Sequence, residues 1–264
     1  MENVEAVDQS SISDEQQSPS LHEGVLSADI LARCDSDIQT MVALGELAAK
    51  HGAVSVISGG YAVEAHCGGR ITRAHRDMDV HWQGQDSFSQ QAIDEIQAVL
   101  QQNNSRWQTI EKKPGESYQF DEMSESGKKG RRLEWSNDHF SRKGNHTKYL
   151  IDSQNNKHEV TVPPLEEVIS TKAIIFELKN AMTPEEKSVD KRYMTGMPQD
   201  IREFRRLLAL PSFNQEACIN YLEGYFKHEK GKEGEEITSE QAQILAQEKW
   251  SKTMEFINEF ESPK

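Results

Sequence analysis

The sequence predicts an α+β fold in which a helix and a mixed α/β segment are followed by an all-helical C-terminal region. Two observations support this order. Short apolar runs typical of strands lie between residues 54 and 151, separated by segments rich in turn residues. After Pro163-Pro164, apolar residues recur at helical spacing almost to the last residue. No internal repeat is visible, and the change in pattern places a natural boundary near Val162.

The mixed segment begins with a helix for which Ser27 is the expected N-cap. Apolar residues recur at helical spacing until His51-Gly52 ends that helix. The apolar run 54–57 is typical of a short buried strand. It leads directly through the turn 58–60 into a short helical stretch at 61–67.

Alternation of polar and apolar residues from Asp77 to Trp82 predicts the next strand. A helix then runs to Leu100, and Asp86 or Ser87 is its expected cap. The remaining predicted strands lie around 107–110, 118–123, 131–135 and 149–151, and the later helices lie at 165–180, 199–209, 214–228 and 238–260.

Charge is distributed unevenly along the 264 residues, which carry a net charge of −14. The segment 1–24 has six acids and no Lys or Arg, lacks aromatic residues and is expected to be a disordered acidic tail. The segment 229–264 has nine acids and five bases, which leaves a net charge of only −4 on residues 25–228. The predicted domains are therefore the tail, a mixed domain at 25–162 and a helical domain at 163–264. The net charge by itself does not choose a binding partner.

Composition excludes several classes of protein. No run of about 18 apolar residues is present, so we expect no membrane-spanning helix. The N-terminus lacks the basic and apolar regions of a secretory signal. Three separated cysteines without a CxxC pair are expected to be free thiols in a reducing cytoplasm, not a disulfide framework or a zinc site.

The predicted strand 77–82 carries the first half of a candidate site. Side chains alternate across a strand, so Asp77, Asp79 and His81 share one face while the apolar residues between them face the core. The two carboxylates lie about 7 Å apart along the strand, close enough to bind one hard cation or to bridge two. Unpaired acids beside an apolar face are costly, and Mg²⁺ would compensate their charge.

The glycine pair at 59–60 carries the second half. A strand that turns through Gly59-Gly60 into a helix presents backbone N–H groups at the positive end of the helix dipole, which suits a phosphate. Glycine allows close approach to the backbone, and the Ser58 hydroxyl adds a donor. Each signal alone is weak, but the combination of strand, Ser-Gly-Gly, helix and Asp-x-Asp strand is far more specific.

With these motifs the sequence resembles the polymerase-beta-like nucleotidyltransferase superfamily, in particular its small aminoglycoside- and lincosamide-modifying members. The motifs that carry the resemblance are Gly59-Gly60-Tyr61-Ala62, Gly69-Arg70, Thr72-Arg73-Ala74-His75 and Asp77-Met78-Asp79. The resemblance covers about residues 50–210 and is strongest at 58–82. It implies a mixed sheet with flanking helices, two Mg²⁺ ions, a nucleoside triphosphate (NTP) donor, and transfer of a nucleotidyl group to an acceptor.

The resemblance also implies a third metal-binding carboxylate on a neighbouring strand. Glu134 is the favoured candidate because apolar Leu133 and Trp135 flank it, although the family more often has Asp at that position. Asp152 is the alternative. Asp77, Asp79 and Glu134 are thus the predicted catalytic and metal-binding residues.

The predicted phosphate-binding residues are Ser58, Gly59, Gly60, Arg73, His75 and Lys172. Lys172 corresponds to an inward-facing Lys of the family, and an equally good interpretation is a Lys at the edge of an apolar helix stripe. The family's Lys-Asp-x-x-Asp helix appears here with Gln199 and Glu203 at its first and last positions. These two replacements, Gln for Lys and Glu for Asp, affect the part of the family's site that faces the acceptor.

The preferred function is Mg²⁺-dependent transfer of a nucleoside monophosphate to a hydroxyl of a small molecule, such as an aminoglycoside-like or lincosamide-like antibiotic. A toxin-type enzyme that modifies tRNA or protein is the first alternative, because the resembled superfamily includes such toxins and a basic run precedes Glu134. That run lies in the segment 104–148, which carries ten bases against seven acids, and such a run is more often a solvated hairpin than a binding patch. Tyr118, Trp135 and Phe140 lie near those bases and fit base stacking or a core equally well. A catalytically inactive nucleotide-binding or regulatory module is the second alternative. The donor base is not predicted, no membrane partner is expected, and a homodimer through the helical C-terminal third is compatible with the sequence.

Overall fold

A computed structural model of the chain describes residues 26–75, 77–84, 89–102, 106–113, 117–123, 127, 129–137, 144–180, 191–232 and 234–260. The predicted acidic tail at 1–24, the candidate caps Asp86 and Ser87, and Phe140 lie outside the described residues.

Helices and strands alternate in the first part of the chain, and helices alone follow in the described residues after 162. The helices are α1 (Ala28–Lys50), α2 (Gly59–His66), α3 (Gln90–Gln101), α4 (Leu165–Asn180), α5 (Lys191–Leu208), α6 (Gln215–Lys232) and α7 (Ser239–Glu259). The strands are β1 (Val54–Ile57), β2 (Asp77–Gln83), β3 (Arg106–Lys113), β4 (Ser117–Met123), β5 (Lys129–Asn137), β6 (His146–Ile151) and β7 (Lys157–Val162).

The central sheet has five strands in the order β1-β2-β5-β4-β3. Strands β2 and β5 are parallel, whereas the other neighbouring pairs are antiparallel, so the sheet is mixed. Strands β6 and β7 form a separate antiparallel pair. The predicted α+β class, a mixed sheet with flanking helices followed by a helical C-terminal region, is confirmed.

Local sequence accounts for several helix ends. The Ser27 hydroxyl accepts a hydrogen bond from the backbone N–H of Ile30, as predicted for the start of α1. Helix α3 is capped by Ser89, which accepts from Ala92, so the prediction of a cap at Asp86 or Ser87 was wrong. Ser89 caps the helix with a side-chain oxygen, as the predicted residues would have done, and the helix simply begins slightly later in the sequence.

Two elements differ from the sequence prediction. Strand β7 was not predicted, although His158, Val160 and Val162 alternate as in a strand, because the Pro163-Pro164 boundary directly follows it. Helix α5 begins at Lys191 and contains Pro198, earlier than the predicted start at 199. Proline is a common helix start signal, and here it misplaced the boundary by two turns.

One part of the core lies between the sheet and helices α1 and α3, and the buried cluster continues into the C-terminal helices. Met78, Val80 and Trp82 of β2 are buried together with Leu133 and Trp135 of β5. Trp82 and Trp135 pack edge to face with their ring centroids 4.6 Å apart. The opposite face of β2 is therefore left for polar side chains, as the alternation predicted.

The C-terminal helices pack on one another and on α2. Phe176 of α4 contacts Phe204 of α5, with ring centroids 5.4 Å apart. Phe213 stacks on Trp250 of α7. Within the described ranges, none of the helices combines the length and apolar composition needed to cross a membrane.

Candidate active site

The turn between β1 and α2 requires its two glycines. Gly59 has a positive φ of 61°, and a Cβ atom there would clash with the Asp79 carboxylate. A Cβ atom on Gly60 would overlap the imidazole of His75. The Ser58 backbone N–H donates to the Asp79 carbonyl at 2.9 Å, which fixes the turn against β2. The start of α2 and the Asp-x-Asp strand are thus packed directly together.

Three carboxylates share one face at the parallel pair of strands. In the register of β2 and β5, Asp77 lies opposite Arg132 and Asp79 lies opposite Glu134. Asp77 and Glu134 are exposed, whereas Asp79 is half-buried beside the glycine turn. The structure therefore brings Glu134 next to the Asp-x-Asp pair, as the sequence predicted for a neighbouring strand.

The Asp79 carboxyl is electrostatically strained. Burial, followed by the nearby charges of Asp77 and Glu134, raises its pKa to about 7. Lys172 and Arg132 act in the opposite direction but do not offset these effects. The positive charges that surround the three acids therefore do not fully compensate their negative charge.

This donor set fits a divalent cation of the Mg²⁺ type. Carboxylate oxygens are the preferred protein ligands of hard cations, and a cation would relieve the repulsion that raises the pKa of Asp79. Among the described residues, no three His, Cys, Asp or Glu side chains are already arranged as a metal site. Glu134 lies 3.2 Å from the Arg132 guanidinium, a contact with which a bound cation would compete.

Asp152 has a different role. It lies in the turn between β6 and β7, outside the central sheet. Its carboxylate accepts hydrogen bonds from the backbone N–H groups of Gln154 and Asn156 and binds the His158 ring at 2.9 Å. These donors lower the pKa of Asp152 to about 2. The side chain is a turn-stabilising group and is not part of the carboxylate cluster.

A cavity of about 710 Å³ opens over the acidic face. Five predicted site residues line it, namely Ser58, Gly59, Asp79, Glu134 and Lys172. Further lining residues come from β3 to β5 and from α4, including Lys112, Gln119, Ser136 and Thr171. The predicted residues Gly60, Arg73, His75 and Asp77 do not line it.

Two predicted phosphate-binding cations share one carboxylate. Arg73 Nε lies 2.5 Å from Oε1 of Glu203, and Lys172 Nζ lies 2.7 Å from Oε2 of the same residue. Burial alone would raise the pKa of Glu203, but Lys172 and Arg73 outweigh it and lower the pKa to about 2. Lys172 is also 3.7 Å from Asp200. Of the two cations, only Lys172 reaches the cavity.

His75 lies behind the glycine turn. Its side chain is 2% exposed and contacts the Glu64 carboxylate at 3.3 Å. The His75 ring packs at a tilt against the Tyr61 ring, with the ring centroids 4.3 Å apart. Glu64 is buried and also binds Arg206 of α5 at 3.0 Å. Burial would raise the pKa of Glu64, but His75 and Arg206 hold it below its usual value. His75 therefore supports the turn from behind.

The basic run in β5 is neutralised within the protein. Lys129 and Arg132 both bind the buried Asp121 carboxylate. Arg131 points to the other side of the sheet, where it binds Asp37 at 2.9 Å and Glu122 at 2.8 Å. Tyr118 and Trp135 are buried core residues. Each described base nearest Glu134 is thus paired with an acid of the protein, which weakens the case for a nucleic-acid surface.

Sequence reasoning missed the partners of the predicted residues. Glu64 and Arg206 were not singled out, because charged residues on helices are usually solvated. Glu203 was named only as the last position of the family's helix motif, not as the partner of Arg73 and Lys172. Ser136 also gave no motif signal. It binds the ring of His81, which shares the acidic face.

Comparison with solved structures gives low-identity similarities. The antibiotic-resistance factor ANT(2″)-Ia in solution has 14% identity and a TM-score of 0.45, with 76% of this chain and 96% of that chain covered. Its crystal structure in complex with adenylyl-2″-tobramycin has 14% identity and a TM-score of 0.40 over 83% and 98% of the two chains. JHP933 from Helicobacter pylori has 12% identity and a TM-score of 0.40 over 88% and 95%. No family model and no curated protein matches the chain.

Proposed function

We propose that this protein is a nucleotidyltransferase that moves a nucleoside monophosphate from an NTP to a hydroxyl group of a small molecule. The observation that carries the proposal is the acidic face of β2 and β5. Asp79 lies in register with Glu134 and packs directly against Gly59 at the start of α2. Acidic side chains thus lie beside a turn whose backbone N–H groups suit a phosphate, a combination that supports phosphoryl-group chemistry.

The carboxylates and the glycine turn have different roles in this proposal. Asp77, Asp79 and Glu134 would hold two Mg²⁺ ions, which would activate the acceptor hydroxyl and neutralise the leaving pyrophosphate. The backbone N–H groups at the start of α2 and the Ser58 hydroxyl bind phosphate oxygens. Lys172, on the cavity wall, neutralises part of the triphosphate charge. One of the three carboxylates accepts the proton that the acceptor hydroxyl loses.

Two features favour a small acceptor. The cavity volume of about 710 Å³ lies within the range usual for small-molecule sites, roughly 300–1,000 Å³. The bases that suggested a nucleic-acid acceptor bind Asp121, Asp37 and Glu122. The motif resemblance makes an aminoglycoside-like or lincosamide-like antibiotic the first acceptor to examine.

The test is incubation of the protein with labelled ATP, GTP, CTP and UTP, Mg²⁺ and a panel of acceptors. The panel contains aminoglycosides, lincosamides, tRNA and the protein itself. We expect a labelled antibiotic and released pyrophosphate, both abolished in the Asp77→Asn/Asp79→Asn variant and both retained in the matched control Asp152→Asn. Labelling of RNA or protein alone would overturn the small-molecule acceptor. Failure to bind any nucleotide would overturn nucleotidyl transfer itself.

A further inference from the structure

A hydrogen-bonded chain of three side chains crosses the wall of the cavity. Nε2 of His81 lies 2.7 Å from the Ser58 hydroxyl, and Nδ1 of His81 lies 2.7 Å from the Ser136 hydroxyl. Both ring nitrogens are thus engaged at short distance. All three residues line the cavity.

The backbone register explains why these side chains meet. His81 follows Asp79 by two residues on β2, and Ser136 follows Glu134 by two residues on β5. His81 and Ser136 are direct partners in the parallel pair. The paired side chains of His81 and Ser136 therefore lie two residues further along their strands than Asp79 and Glu134. The hydrogen-bonded series ends at Ser58, in the glycine turn.

Ser58 is unusual for a serine at the start of a helix. It occupies the N-cap position of α2, but its side chain makes no capping hydrogen bond. A serine at this position ordinarily accepts from an amide in the first turn. Here the hydroxyl is engaged by His81, so it does not block the amides at the start of α2.

The tautomer of His81 decides what the Ser58 hydroxyl can do. In a neutral imidazole, one nitrogen donates and the other accepts. If Nε2 accepted, the only hydroxyl proton of Ser58 would be directed at the ring. If the Ser136 hydroxyl donates to Nδ1, Nε2 carries the proton and donates to Ser58 Oγ. The Ser58 proton is then free for a phosphate oxygen.

We propose that His81, held by Ser136, is a positioning residue that orients the Ser58 hydroxyl as a donor to a phosphate oxygen of the bound nucleotide. This inference rests on the proposed function, because it assigns the bound phosphate to an NTP. His81 acts through Ser58 and does not itself accept the acceptor proton. Its loss therefore weakens nucleotide binding.

Two amide substitutions distinguish the contributions of the two ring nitrogens of His81. In His81→Gln the side-chain amide reaches the place of Nε2 and can donate to Ser58. In His81→Asn the amide reaches only the place of Nδ1 and can bind only Ser136. His81→Ala removes both bonds. The three variants differ little in charge and form one matched series.

The measurement is calorimetric titration with a non-hydrolysable NTP analogue and Mg²⁺, followed by KM and kcat for the NTP. We expect His81→Ala and His81→Asn to weaken binding about tenfold, the effect of losing one hydrogen bond to a charged group. His81→Gln should restore binding to within about threefold. Ser136→Ala should weaken binding in the unmodified protein but have no effect in the His81→Gln background, because an amide has no tautomer to select.

The outcomes that overturn the proposal are distinct. Equal affinities for His81→Gln and His81→Asn, or a fall in kcat with unchanged KM, would show that His81 does not act through Ser58. If His81→Ala does not fold, the two Ser136→Ala measurements decide the question. If the unmodified protein binds no NTP, the proposed function fails, and this inference fails with it.

Discussion

Lys172 of α4 and Glu203 of α5 are joined by a hydrogen bond of 2.7 Å at the wall of the cavity. The other oxygen of Glu203 binds Arg73, which comes from the segment between α2 and β2. One buried carboxylate therefore holds a cation of the mixed α/β part and a cation of the helical part. The helical part thus positions a charge at the candidate site and does not merely cover it.

Glu203→Gln should destabilise the protein by about 3 kcal/mol at neutral pH, with the direction set by a pKa lowered to about 2. A carboxyl whose pKa is lowered on folding contributes stability above its unfolded pKa of about 4.5 and loses it as the pH falls toward 2. The difference between the unmodified protein and Glu203→Gln should therefore shrink between about pH 5 and pH 2. Urea unfolding across this range measures it, and a constant difference would contradict the ion-pair explanation.

Gly59→Ala should abolish nucleotide binding and cost at least about 1–2 kcal/mol of stability. The positive φ of 61° disfavours a residue with a Cβ atom, and that atom would clash with Asp79. Gly45→Ala in α1 is the matched control, because a Cβ atom there meets nothing within 4 Å. It should leave binding intact and stabilise the helix by up to about 1 kcal/mol. Similar behaviour of both variants in denaturant unfolding would show that the turn does not require glycine.

Arg131→Met should cost about 3–5 kcal/mol, since it leaves the buried Asp37 carboxylate without its ion-pair partner. Arg131 also lies over the Trp107 ring, at 5.5 Å from its centroid. Lys129→Ala is the comparison, because Lys129 is 56% exposed and the buried Asp121 carboxylate keeps a second partner in Arg132, so the loss should be smaller. Thermal unfolding of the two variants compares the loss of a buried guanidinium with the loss of an exposed ammonium group, and equal losses would refute the distinction.

Glu134→Gln should lower nucleotidyl transfer by at least about a hundredfold, because an amide cannot replace a charged metal ligand. Glu134→Asp should retain part of the activity, since it keeps the carboxylate on the same face of β5. Initial rates of pyrophosphate release at saturating Mg²⁺ provide the measurement. Full activity of Glu134→Gln would exclude this residue as the third carboxylate.

Much of the site could be predicted from the sequence because its parts are local. The turn at 58–60 and the carboxylates of β2 follow from short motifs and from strand alternation, and the structure places them together. Pairing partners are not local. Nothing in the pattern around Glu203 shows that it meets Arg73, 130 residues away, or that His75 faces inward. Lone charged residues on helices are usually exposed, so burial by long-range pairing gives no sequence signal.

The most direct test of the central claim is calorimetric binding of a non-hydrolysable NTP analogue with and without Mg²⁺. If the acidic face of β2 and β5 is a metal-dependent nucleotide site, the unmodified protein should bind only with Mg²⁺. Asp79→Asn should lose that binding, and Asp152→Asn should keep it. Mg²⁺-independent binding that Asp79→Asn leaves unchanged would contradict the claim.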